Sequence, residues 1–236
     1  MSENKNPTDD GIFEALRAIP PACLQDVLSP LGYTKLFMKG VKSFSKNEKL
    51  VARAVTLRFI PTRVDLKEEN FFRPGMGSKR SEAIELCGPG DVLVIDGMGE
   101  VDQTVGGDIK FLRLKQRGAE GLVTDAAIRD TAELLSYGMK IFAANNSGSD
   151  GDLEMLPWGV NEVISCGGVS VRPGDYIVGD DDGVVVVPQT LVGQAIELSM
   201  EHLRMEDAVK KQLEIEDVPV GKYYPWKDAT AEIMGD

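Results

Sequence analysis

"DVLVIDGMGEVDQTVGGDIKFLRLKQRGAEGLVTDAAIRDTAEL", residues 91–134, changes its apolar rhythm in a way that decides the fold. Residues 92–95 form a continuous apolar run between turn residues, which predicts a buried strand. "DIKFLRLKQRG" then carries apolar residues at helical spacing and stops at Gly118. "AEGLVTDA" is a second buried strand. Strand, helix and strand in this order make a βαβ unit, whose two strands lie parallel in one sheet. In such sheets the carboxyl ends of neighbouring strands converge on one crevice.

Working outward, "IFEALRAI" and "CLQDVLSPLG" predict two peripheral helices, the second closed near Pro30 and Gly32. "LVARAVTLRFI" predicts a strand, and "PTRVDLKEENFFRPGMGSKR", about residues 61–80, reads as an irregular polar insert that is long for a passive connection. "SEAIELC" is helical. Downstream come a strand in "MKIFAAN", a loop rich in Asn and Gly, short strands in "EVISCGGVSV", and the hairpin "PGDYIVGDDDGVVVVP" with an Asp-Asp-Gly turn. A long charged helix, "TLVGQAIELSMEHLRMEDAVKKQLEIE", follows. The expected fold is α/β, a mixed sheet with flanking helices in one domain over 1–236. N-terminal helices span about 10–32, a core about 33–188, and a C-terminal helical arm about 189–236.

The chain carries 26 Lys and Arg against 38 Asp and Glu, a formal charge of -12. That balance repels phosphate backbones and anionic lipid, so neither nucleic acid nor membrane is expected as a partner. No apolar run approaches the roughly 20 residues that span a bilayer, and the first residues lack the basic flank of an export signal. Cys23, Cys87 and Cys166 lie far apart with no CxxC pair, which argues against a disulfide framework or thiolate zinc site and for a reducing cytoplasm.

Elimination narrows the chemistry. The single histidine, His202, sits in the late charged helix and reads as a surface residue, so polyhistidine metal sites are excluded. No GxSxG elbow or phosphate-binding loop is present. Gly97, Gly99, Gly106 and Gly107 do not fall into GxGxxG, and no methyl-donor fingerprint is seen; Gly97 and Gly99 are expected to supply positive φ in a loop. Gly106 and Gly107 immediately precede a helix beginning Asp108, Ile109, Lys110, where unpartnered N–H groups suit a small anion. Arg129 and Asp130 follow the next strand, so Arg129 could reach that anion while Asp130 holds a hard cation such as magnesium. Equally, Asp130 could cap the helix "TAELLSYG" and Arg129 could be a surface ion-pair partner. The residues alone leave both readings open.

The chain also resembles the RraA-like family, which includes divalent-metal-dependent 4-hydroxy-4-methyl-2-oxoglutarate/4-carboxy-4-hydroxy-2-oxoadipate aldolases. The resemblance runs from about Asp26 to Pro188 through "ARAVTL", "GPGDVLVIDG", "GGDI", "QRGAEGLVTDAAIRDTAEL" and "SCGGVSVRPGDYIVGDDDGVVVVP". Gly107, Arg129, Asp130 and Glu133 match the aldolase signature of a glycine, a later Arg-Asp pair and an acid three positions on. The resemblance implies a swivelling β/β/α fold, assembled as a homotrimer or homohexamer with sites at subunit interfaces. It implies Asp130 as ligand of Mg2+ or Mn2+, Arg129 as the guanidinium on a small 2-oxo acid, and Gly107, Asp108, Ile109 and Lys110 as the carboxylate-binding segment. Asp108 is the candidate for proton relay, Glu133 supports the metal ligand, and Glu206 is expected to reach a neighbouring subunit's site. The implied activity is class II aldol cleavage of 4-hydroxy-2-oxo di- or tricarboxylates to pyruvate, with oxaloacetate decarboxylation beside it.

Two features depart from the family: Lys110, Phe111 and Arg113 replace a commonly small, apolar stretch, and the insert around Asn70, Phe71, Phe72 and Arg73 is long. Lys110 and Arg113 share a helix face and could form a second anion site. Two other classes compete: a regulator of an RNA-processing enzyme acting by protein contact, and a Schiff-base lyase using Lys110 or Lys140.

Overall fold

The computed structural model describes residues 9–70 and 78–224. Helices α1 (Asp9–Arg17) and α2 (Pro21–Leu28) lead into β1 (Lys42–Ser43) and the long β2 (Leu50–Pro61). The region expected to be an irregular insert instead contains α3 (Val64–Asn70), while Phe71, Phe72 and Arg73 lie outside the described residues. Asp65 in the first turn of α3, paired with Arg63 at 2.6 Å, places an acid where the helix N-terminus favours one. Next come α4 (Lys79–Leu86), β3 (Asp91–Asp96), α5 (Asp108–Gln116), β4 (Gly121–Thr124), β5 (Ala127–Ile128), α6 (Thr131–Ser136), β6 (Lys140–Ala143) and β7 (Asn145–Asn146). The chain then runs through β8 (Met155–Val160), β9 (Ile164–Cys166), β10 (Val169–Val171), β11 (Tyr176–Asp180) and β12 (Gly183–Val187) to α7 (Val192–Ile215).

The βαβ unit is present as read: β3, β4 and β6 are parallel neighbours, and β2 extends the parallel set on the other side. Gly118, at φ 85°, ends the α5 turn as expected. The mixed sheet runs β1-β6-β4-β3-β2-β11-β12, with β8 also pairing the distal half of β2. Antiparallel β11 and β12 close the far side, and their turn is Asp181-Asp182, with Gly183 already the first residue of the returning strand. Residues ahead of β1 return to β12, where the Met38 N–H donates to the Val184 carbonyl at 2.8 Å, so the sheet is nearly closed.

Alternation along β2 explains how one strand serves three apolar regions. Val55, Leu57 and Phe59 join α4 and α5 outside the sheet; Leu50, Ala52 and Ala54 point into its curved interior; Val51 meets α1, α2 and α7. Phe142 of β6 is fully buried in the interior, and its ring lies where a side chain on Gly179 of β11 would have to go. Two strands far apart in the sheet order are thereby packed against each other. The charged α7 buries Val192, Ala195, Ser199 and Val209, which holds it on α2. Truncating the central ring, Phe142→Ala, is expected to cost about 3–5 kcal/mol. The check is a shift of the urea midpoint with an unchanged denaturant slope.

Candidate functional site

The site forms where two helix N-termini meet at the carboxyl ends of the parallel strands. Gly107 precedes the first residue of α5, and a side chain built on it would collide with the Asp130 carboxylate and the Arg129 stem. Glycine is therefore required here by close approach, since its backbone is extended at φ -137°. The Arg129 N–H donates to the Gly106 carbonyl at 3.3 Å, which fastens the two segments. Arg129 Nε lies 3.5 Å from Asp130 Oδ2, with both side chains about two-fifths exposed.

Asp130 stands at the start of α6 in the left-handed region, φ 57°, ψ 37°, a conformation that aspartate tolerates at some energetic cost. Its side chain makes no capping bond to α6. Oδ2 instead accepts the Asp108 N–H of α5 at 3.3 Å, so the capping role that the sequence also allowed is not the one adopted. A carboxylate thus sits on the positive end of a neighbouring helix dipole, beside a guanidinium, in a solvent-open position. Glu133 lies in the first turn of α6. The Tyr137 hydroxyl is held above the usual phenol range, first by desolvation and then by the negative charges of Asp108, Glu133 and Asp130.

An open cleft of about 540 Å³ is lined by Arg129, Asp130, Thr131, Asn146, Ser147 and Gly148. The last four were not singled out in the sequence, whose only hint was the polar loop after β6. Other expected residues are placed elsewhere. Arg113 makes two bonds to Glu85 of α4, at 2.7 and 2.9 Å, so it serves helix packing. Lys140 starts β6 at the opposite end of the sheet and pairs with Glu120 at 3.0 Å. His202 is half-buried and lies 3.7 Å from Glu206, which also meets Lys210 at 3.3 Å along α7. Glu206 is outside the cleft of its own chain.

Beneath the site, Asp125 is 8% exposed and gathers three loops. It accepts the Gly97 N–H at 2.8 Å and the Gly167 N–H at 3.1 Å. Gly97 has no positive φ, unlike Gly99 at 70°; a side chain on Gly97 would collide with Ala126, so close packing explains it. Cys23, Cys87 and Cys166 are buried free thiols.

The pattern of the family described as RraA-like, Aldolase/RraA, matches residues 21–186. The chain belongs to the RraA-like family. A Halalkalibacterium halodurans relative named "Putative 4-hydroxy-4-methyl-2-oxoglutarate aldolase" is 34% identical over 179 residues, 73% of this chain and 74% of that one. A Pseudomonas putida relative of the same name is 35% identical over 120 residues, 48% of this chain and 69% of its own. Among solved structures, Streptomyces coelicolor RraAS2, titled an unusual member of the RNase ES inhibitor RraA family, superposes with a TM-score of 0.75 at 27% identity, covering 86% of this chain and 96% of that one. An uncharacterized protein of Pseudomonas syringae pv. tomato gives a TM-score of 0.78 at 21% identity over 94% and 97% of the two chains, which shows the shared RraA-like fold.

Burial, with Asp96 nearby, pushes the Asp125 carboxyl above its ordinary value of 3.8 despite the N–H groups it accepts. The folded state therefore binds this proton more tightly than the unfolded chain. The contribution is present in full below pH 3.8 and is lost as pH rises through the raised folded value. The stability of the native protein relative to Asp125→Asn is accordingly expected to fall as pH rises above 3.8, as measured by urea unfolding at successive pH values.

Proposed function

We propose that this chain is a divalent-metal-dependent carbon–carbon lyase that cleaves 4-hydroxy-2-oxo acids to pyruvate and a carbonyl product, and that oxaloacetate decarboxylation accompanies it. The observation that carries the reading is the packing of the Gly107–Asp108 peptide against Arg129 and Asp130. It sets the N-terminus of α5 directly against the guanidinium and carboxylate that line the cleft, although Gly107, Asp108, Ile109 and Lys110 are not themselves among its lining residues. The names of the RraA-like relatives support an aldolase.

The donor set suits Mg2+ or Mn2+. Among the described residues no three His, Cys, Asp or Glu side chains gather to hold an ion. The exposed Asp130 carboxylate can serve as a single protein ligand, and a hard cation accepts one such ligand with water and substrate oxygens completing its sphere. When bound, the ion would draw electron density from the 2-oxo group. In the first turn of α5 the Asp108 N–H is already given to Asp130, and the following backbone N–H groups at Ile109 and Lys110, which no helix carbonyl can reach, orient the substrate carboxylate. Arg129 supplies a fixed positive charge where negative charge grows on the 2-oxo oxygen. Asp108 takes the proton of the C4 hydroxyl as the C3–C4 bond breaks and returns it to C3. Glu133 and Tyr137 keep Asp130 and Asp108 in a polar setting.

Exposed apolar side chains flank this site: Ile109, 79% exposed, with Leu112 on α5 and Leu135 on α6. They support assembly as a homotrimer or homohexamer that covers them and lets Glu206 approach a neighbour's cleft. No helix among the described residues is long and apolar enough to cross a membrane. With the acidic charge this supports a cytoplasmic small-molecule enzyme without nucleic acid or membrane partners. The likeness to RraAS2 favours a second reading, regulation of an RNA-processing enzyme by protein contact. Lys140 is held by Glu120 away from the cleft and Lys110 is not among the residues that line it, so neither lysine supports a Schiff-base lyase.

Pyruvate release is expected to stop in EDTA and return with Mg2+ or Mn2+, whereas a purely regulatory protein would release none. Asp130→Ala should lose activity and metal stimulation together; near-normal turnover with magnesium would end the metal assignment. Arg129→Lys should lose more than about tenfold in kcat/KM, roughly 1.4 kcal/mol, because an ammonium cannot reproduce the forked contact.

A further inference from the structure

The cleft around Arg129 and Asp130 has one charged side and one neutral side. Its other lining residues are Thr131, Asn146, Ser147 and Gly148. Arg129 is the one cationic side chain among the described residues that line it. Of Lys110 and Arg113, which the sequence offered together as a second anion site, neither lines the cleft, and Arg113 is held by Glu85.

The neutral side is firmly built. The Ser147 N–H donates to the Ile128 carbonyl at 2.9 Å, and the Ser149 N–H to Ser147 Oγ at 3.2 Å. Asn145 Nδ2 donates to the Val101 carbonyl at 3.0 Å, Thr104 Oγ1 to the Ser149 carbonyl at 2.9 Å, and Ser149 Oγ to the Asp102 carbonyl. The loop after β7 is thereby laced to the segment that leads into Gly106 and Gly107. Along the cleft wall, the Asn146 side-chain amide and the Thr131 hydroxyl make no hydrogen bond to another described residue, and the Ser147 hydroxyl still has its proton to donate. The wall therefore presents neutral donors and acceptors to whatever occupies the cleft beyond the Arg129 end.

From this we infer that the part of the substrate beyond C4 is neutral and hydroxyl-bearing, so the carbonyl product is a hydroxyaldehyde and not a second 2-oxo acid. The inference rests on the lyase reading and departs from the dicarboxylate in the relatives' names. In the reaction, the C3–C4 bond of a monocarboxylate breaks, the C4 hydroxyl loses its proton as C4–O becomes a carbonyl, and C3 gains a proton to give pyruvate. A second carboxylate would meet uncharged groups and the Asp130 carboxylate, inside a protein of charge -12. A hydroxyl would instead satisfy the Asn146 and Thr131 groups, and sites built to bond a hydroxyl discriminate strongly in its favour.

The test has two arms, both with magnesium present. Wild-type protein in D2O should exchange the C3 protons of pyruvate, which needs Asp108 and the Arg129–Asp130 end and not the neutral wall. It should also cleave 4,5-dihydroxy-2-oxopentanoate with a kcat/KM at least about tenfold above that for 4-hydroxy-2-oxoglutarate. Asn146→Arg, which adds a cation to the neutral wall, should move that ratio about tenfold or more toward the dicarboxylate. Pyruvate exchange with a wild-type preference for the dicarboxylate, or a ratio unmoved by Asn146→Arg, would overturn the neutral distal site alone. Absence of both exchange and cleavage would overturn the lyase reading and this inference with it.

Discussion

The seating of Gly107 against Asp130 is the contact on which the rest of this molecule turns. Two helices, α5 and α6, begin at the carboxyl ends of adjacent parallel strands, and their first residues are brought to van der Waals contact only because position 107 lacks a side chain. Asp130 then gives its carboxylate to the N-terminus of α5 and leaves its own helix uncapped. The left-handed backbone at Asp130 is the cost of that exchange, and it is stabilised by the Gly106 carbonyl bond and the packing around it. The outcome is a cleft lined by a guanidinium and an accessible carboxylate, with the N-terminus of α5 packed against that carboxylate.

Support for this contact comes from below. Asp125 cannot be solvated where it sits, so its two oxygens take N–H groups from the β3 loop and the β9–β10 hairpin. Because Asp125 is in the same strand-to-helix connection as Arg129, the buried carboxylate fixes the position from which the functional pair departs. The nearly closed sheet, with Phe142 packed against Gly179, then makes that platform rigid. Rigidity would matter to the proposed lyase, since in that reading a displaced guanidinium would leave the developing charge unmet.

The surface divides in a matching way. Cationic side chains near α5 are largely used for packing, as Arg113 is on Glu85, whereas apolar Ile109 and Leu112 are left exposed beside the cleft. The acidic remainder of the protein disfavours polyanions in general, so the single guanidinium of the cleft acts as a local exception, suited to a small carboxylate.

Local pattern determined a good deal. The buried runs around β3 and β4, the helical spacing of α5 with its Gly118 stop, and the long ordered motif match made the βαβ unit, the mixed sheet and the pairing of Gly107 with Arg129 and Asp130 legible, because each depends on residues close in sequence or on a recognisable signature. Other features were decided only by folding. Whether Asp130 capped α6 or served α5 depended on a neighbour 22 residues away, seen in its bond to Asp108. Gly97 and Gly107 were needed for close packing, which no turn statistic reports. The role of Arg113 was set by Glu85 on another helix, and Thr131, Asn146, Ser147 and Gly148 joined the site because the sheet brought the end of β6 beside that of β4. Sequence spacing carries periodicity and local chemistry, whereas a cleft is made by surfaces that meet only after the strands have paired.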